Sequence, residues 1–201
     1  MKYSKITFLL LSYLSFVSLA QAITFSGTAI RPTLGNNGSA LASNQLALFV
    51  VDTAGDGFSS IQAGDLLTEG NLLGSDDFIL KTSSSSISIG QTIVPFTSFS
   101  FNLNINNIGA NDAFAVYFFD GIDSSATTAT AGSFYGLATD STWTIPFFNA
   151  ATLDFNPTAD EDSFQQLSNL QANNLVVPEP SAYAALAGLL ALGFATFRRR
   201  R

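Results

Sequence analysis

Between residues 23 and 177 the apolar side chains fall in short runs separated by turns rich in Gly, Asn and Asp, and this pattern confines the chain to β-structure. Phe99, Phe101, Leu103 and Ile105 alternate with Ser100, Asn102 and Asn104, the period of a strand buried on one face. Gln45–Val51 (QLALFVV) and Ala113–Phe119 (AFAVYFF) are denser apolar runs, suited to strands in the middle of a sandwich. Ile23–Ile30, Asp77–Lys81, Ser133–Ala138, Thr142–Phe147 and Ala151–Phe155 add shorter candidates. Turn chemistry separates them at Gly35-Asn36-Asn37-Gly38, Gly55-Asp56-Gly57, Gly74-Ser75-Asp76-Asp77, Asn106-Asn107 and Asp120-Gly121. A short helix is expected from Ser163 to Asn169, where Ser163 and Gln166 match a capping box. Many short strands and few helices predict an all-β fold, an antiparallel β-sandwich of jelly-roll type over residues 23–170. Residues 171–177 read as a linker.

The sequence has no Cys and no His. Such a chain has no disulfides, thiol nucleophile, Cys zinc site or iron–sulfur cluster, and Ser–His–Asp and HExxH chemistry are closed to it. Its core must therefore rest on packing. Of the 19 Phe, fifteen lie between residues 23 and 177, alongside Trp143, Tyr117 and Tyr135. Core aromatics are the expected reading, each buried side chain contributing about 1.5–3 kcal/mol. A sugar-stacking platform built on Trp143 and the tyrosines is the alternative.

Charge divides the chain into three. The whole carries 8 Lys and Arg against 15 Asp and Glu, a net charge of −7. Lys2 and Lys5 stand at one end and Arg198, Arg199, Arg200 and Arg201 at the other. The segment 23–177 holds two basic and fourteen acidic residues, a net charge of −12. So acidic a body is a poor partner for nucleic acid, whose binding depends on Lys and Arg displacing counterions.

Both ends read as addresses. Lys2 and Lys5 precede an apolar run from Ile6 to Leu19, and Ala20-Gln21-Ala22 supplies small residues before Ile23. This is the order of a secretory signal peptide over residues 1–22, cleaved by signal peptidase between Ala22 and Ile23. The apolar run is too short for a span, which needs about 20 residues. At the other end, Val177-Pro178-Glu179-Pro180 leads into an uncharged stretch from Ser181 to Phe197, followed by the four Arg. Those residues predict one short transmembrane helix over about 181–197, with the Arg cluster on the cytoplasmic side. The two prolines keep the segment before it extended.

The C-terminal 24 residues, 178–201, resemble the sorting signal of PEP-CTERM proteins, a bacterial family marked by Pro-Glu-Pro, a hydrophobic span and a terminal Arg cluster. The resemblance implies that Pro178, Glu179 and Pro180 are recognised by an exosortase, a multi-pass membrane cysteine protease, and that the chain is processed at or near them. It also implies a Gram-negative-type envelope, with the chain held by its C-terminal helix before processing and reaching the cell surface or extracellular matrix afterwards, and an association with exopolysaccharide and biofilm.

Within the body, Val51-Asp52-Thr53-Ala54-Gly55-Asp56-Gly57-Phe58 is the best local candidate for a site. Asp52, Asp56 and Gly57 match positions 1, 5 and 6 of an EF-hand loop, which would suit Ca²⁺. Ala54 and Ala63 then occupy positions where that loop needs ligands. A glycine turn with two solvated Asp is the preferred reading, with Asp52 and Asp56 kept as metal candidates. Asp76-Asp77 and Asp160-Glu161-Asp162 read as solvated loop carboxylates. No acid pair stands out for two-carboxylate glycoside hydrolysis, so the body is expected to be non-catalytic. It reads as a structural or adhesive module, or alternatively a lectin-like carbohydrate-binding one that uses Ca²⁺.

Overall fold

The computed structural model describes residues 22–29, 33–88, 91–103, 106–146, 171–178, 185 and 187–192. The signal peptide before Ala22, the strand expected at 151–155, the helix expected at 163–169, Glu179, Pro180 and Arg198–Arg201 lie outside them, as does most of the expected span. Residues 187–192 are helical. No helix among the described residues is long and apolar enough to cross a membrane.

The described body is all-β and antiparallel. Its elements are β1 (Ala22–Ala29), β2 (Gln45–Asp52), β3 (Leu72–Leu73), β4 (Asp77–Ser84), β5 (Ser86–Ser88), β6 (Gln91–Asn102), β7 (Ala113–Asp123), β8 (Phe134–Thr144) and β9 (Asn174–Leu175). Six strands form one sheet in the order β3-β4-β2-β7-β8-β9, and three form another in the order β1-β6-β5. The two dense apolar runs are β2 and β7, hydrogen-bonded to each other at the centre of the larger sheet.

Alternation along these two strands feeds two separate cores. Ala47, Phe49 and Val51 of β2 and Phe114, Val116 and Phe118 of β7 face the first, which Ile23 and Phe25 of β1 and Phe99 and Phe101 of β6 complete. Leu46, Leu48 and Val50, with Tyr117 and Phe119, face the second. Leu73 of β3, Ile79 of β4, Ile122 of β7 and Tyr135 of β8 share that face, and connecting segments cover it through Ile61, Leu67 and Ala129, joined by Val176. Burial on both faces explains why β2 and β7 lack the polar half of an alternating pattern.

The first core is an aromatic cluster around Phe25. Its ring lies 5.0 Å from Phe49, 5.6 Å from Phe99, 5.4 Å from Phe101 and 5.6 Å from Phe114, centroid to centroid. Both edge-on and offset-stacked pairs occur, the arrangements that ring quadrupoles favour. Register sets this up, because Phe25 stands opposite Phe99 and Ile23 opposite Phe101. Phe99 and Phe101 pack on the core while Ser100 is exposed, as the period of two requires. Trp143 stacks on Phe114 at 5.5 Å and 10°, and Tyr117 and Tyr135 are buried. Among the described residues, Trp143, Tyr117 and Tyr135 pack in or against the two cores.

Three local expectations change. The runs expected separately at Ser133–Ala138 and Thr142–Phe147 are joined, within the described residues, by a single strand, β8 (Phe134–Thr144), because a register irregularity near Ala113 and Ala115 lets the ladder to β7 continue. Asp120-Gly121 does not end its strand. β7 runs on to Asp123 with Gly121 at φ 89°, and the pairing slips between Gln45 and Ala47 of β2. Glycine there permits a bulge where a turn was expected. Finally, residues 171–177 are packed instead of free. Ala172 and Val176 are fully buried, β9 pairs with β8, and the Val177 carbonyl accepts the Ala63 N–H at 2.9 Å. Pro178 therefore follows directly on a residue tied to the body.

Truncating the central ring tests this core. Phe25→Ala should lower the unfolding free energy by about 3–5 kcal/mol, read by chemical denaturation of the purified chain. A loss below 1 kcal/mol would show that Phe25 does not hold β1 to the larger sheet.

Candidate acidic site at the end of the central strands

Strand β2 ends at Asp52 and β4 begins at Asp77, and these two residues stand directly opposite in the ladder. Opposed residues in an antiparallel pair project from the same face, here the face of Val50 and Ile79, which line the second core. The chain leaves β2 through Thr53-Ala54-Gly55-Asp56-Gly57 and reaches β4 through the turn Gly74-Ser75-Asp76. The Thr53 hydroxyl donates to the Asp76 carbonyl at 2.6 Å and joins the two segments.

Asp52 is 3% exposed. Its Oδ1 accepts the N–H groups of Ala54 (3.1 Å) and Gly55 (2.6 Å), and its Oδ2 that of Gly57 (2.9 Å). Gly55 at φ 75° and Gly57 at φ 101° occupy the left-handed region that turns those amides inward. Asp52 is thus no solvated loop residue: it organises the loop, and only Asp56 of the pair is exposed. Asp77 is fully buried, with Oδ2 accepting the Ser59 N–H at 2.5 Å. The reading of Asp77 as a solvated carboxylate is corrected by its strand position, which turns the side chain toward the core.

Asp52, Asp56 and Asp76 each bring one carboxylate oxygen within 4.8 Å of the others. The negative charge of Asp76, then a hydrogen-bond contact with that carboxyl, raise the pKa of Asp56 above the ordinary carboxylate range. Burial raises that of Asp77, against the pull of the Ser59 N–H. Burial also raises Asp112, whose Oδ2 accepts the Gly109 N–H at 2.6 Å. Carboxylates this close repel one another, which disfavours their full ionisation. Lys81, the one basic residue among those described, is committed to Glu69 at 2.7 Å.

A cavity of about 310 Å³ opens beside the cluster, lined by Thr53, Ser75, Asp76, Asn106 and Asn107 on its polar side. The metal candidates Asp52 and Asp56 are thus brought together, and Asp76 joins them from a turn 20 residues further along the chain. Sequence spacing carried no sign of Asp76, since only strand pairing places it there. Underneath, the Tyr117 hydroxyl donates to the Ser59 carbonyl at 2.7 Å, and the Ile61 N–H donates to the Tyr135 hydroxyl at 3.3 Å. Burial, first among the causes, drives the Tyr117 pKa far above that of a free tyrosine. Of the other candidate site residues, Ala22 opens β1 and Ile23 is fully buried in it.

Compared with known proteins, the chain matches no protein-family model, no curated protein and no solved structure.

The tyrosine support beneath the site is testable by deletion of one atom. Tyr117→Phe should cost about 1–3 kcal/mol by leaving the Ser59 carbonyl without its donor, measured by denaturant unfolding. A neutral result would mean that Ser59 finds another partner.

Proposed function

We propose that this is an exported cell-surface or extracellular-matrix protein, delivered by a signal peptide and a PEP-CTERM sorting signal, whose non-catalytic β-sandwich acts as a structural or adhesive module. The observation that carries the reading is the order of parts at the C-terminus: Pro178-Glu179-Pro180, an uncharged stretch to Phe197 and Arg198–Arg201. An antiparallel all-β body held by aromatic packing is in keeping with a structural or adhesive module. Its net charge of −12 over residues 23–177 keeps such a body soluble, less so as salt screens it. In this reading the three-stranded sheet is the second layer of the sandwich, signal peptidase and an exosortase are the processing partners, and exopolysaccharide is the surrounding polymer.

Mass spectrometry of the protein recovered from the cells that make it tests the sorting step. The expected product begins at Ile23 and ends near Pro178–Pro180. A chain that still ends at Arg201 would make the C-terminal segment a simple anchor and overturn the reading.

A second reading, a carbohydrate-binding module, is favoured by one surface feature. A polar concavity of about 500 Å³ is lined by Asn36, Asn37, Asp120, Gly121, Ser133 and Phe134. Asp120 Oδ2 accepts the Asn36 N–H at 2.8 Å and so holds the Gly35–Gly38 turn against the bulge of β7. Amides and a carboxylate beside an aromatic ring suit the hydroxyls and the apolar face of a sugar. Glycan-array binding by the purified chain, reduced at least tenfold in Asn36→Ala, is the expected result. An array on which no polysaccharide is retained would remove this reading.

A further inference from the structure

We infer that Asp52, Asp56 and Asp76, backed by Asp77, form a binding site for a hard divalent cation of the size of Ca²⁺. The three facing oxygens lie within 4.8 Å of one another. Ligands held about 2.4 Å from a central Ca²⁺ are separated by at most about 4.8 Å, the spacing within which these three oxygens fall. All-oxygen donors select hard cations over transition metals.

Two carboxylate oxygens beside the cluster are buried where no donor reaches them. Asp77 is 0% exposed, and its Oδ1 is buried without a hydrogen-bond partner; so is Oδ2 of neighbouring Asp76. Asp77 stands opposite Asp52 on the same sheet face, which sets its side chain beside that of Asp52. The charge of a buried carboxylate is offset by a donor, a proton or a cation. Among the described residues the only basic side chain is engaged elsewhere. Asp52, Asp56 and Asp76 supply the ligands, with Asp77 behind them as the charge that raises affinity for the ion.

The consequence is mechanical. A cation here ties the loop after β2 to the turn before β4, across the open end of the central ladder. It also sits beside the cavity of Thr53, Ser75, Asn106 and Asn107, where an ion with open coordination positions can meet hydroxyl ligands. The inference does not depend on the sorting reading, since processing at Pro178–Pro180 can fail or succeed without touching these residues.

The test is calorimetric titration of the chelator-treated full chain in detergent with CaCl₂, together with its thermal unfolding. One Ca²⁺ per chain is expected, with a Kd of about 0.1–1 mM, the range of extracellular modules, and a higher Tm in saturating Ca²⁺. Asp56→Asn should weaken binding at least tenfold, and its exposed position leaves the fold intact. Asp77→Asn should weaken it about ten- to hundredfold. Asp123→Asn, at the opposite end of β7, should bind as the wild type does. Absence of heat and of any Tm change up to about 10 mM Ca²⁺ would overturn the inference. Wild-type affinity in Asp56→Asn would overturn it equally.

Discussion

Everything described here hangs on the contact of one ring, Phe25, with four others. A chain without disulfides must hold its sheets together by packing, and β1 reaches the larger sheet through Phe25 and Ile23, both fully buried. Phe25 touches rings of its own sheet at Phe99 and Phe101 and rings of the other at Phe49 and Phe114. Phe49 and Phe114 are themselves stacked at 4.9 Å, so the cluster is continuous across β1, β6, β2 and β7. This fixes the register of β2 against β7, and a slip of one residue would exchange the two cores.

The second core has a different construction. It is closed mainly by connecting segments, and their backbone is tied down by long-range bonds such as Gly64 N–H to Ala129 carbonyl and Leu67 N–H to Thr127 carbonyl, both 2.9 Å. The acidic site lies at the edge of this core, which links it to stability. Asp77 is buried because β4 needs its first residue inside, and Asp52 because β2 needs its last. The loop between them offsets part of their charge, with the Gly55 and Gly57 N–H groups on Asp52 and the Ser59 N–H on Asp77.

Much of the strand pattern was legible from periodicity. Phe99–Leu103 alternates as read, and the dense runs at Gln45–Val51 and Ala113–Phe119 are the two central strands. What misled was local chemistry read without its partner strand. Asp120-Gly121 resembles a turn, but pairing with Gln45 and Ala47 carries β7 through it as a bulge. Gln171-Ala172-Asn173-Asn174 has the composition of a tether, yet Ala172 fills a gap in the first core. Composition records solubility, whereas docking depends on a surface that another part of the chain provides.

By itself, the sequence determined that the body is β-structured, that it is stabilised without disulfides, and that its ends differ in kind from its middle. Those properties follow from residue type and spacing, which act locally along the chain. Tertiary structure alone decided which carboxylates meet. Asp52 and Asp56 share a loop and could be paired from spacing, but Asp76 and Asp77 arrive through the antiparallel register of β4 on β2. Electrostatic and coordination chemistry depends on distances of a few ångströms in space, and across a sheet those distances are set by pairing rather than by position in the chain.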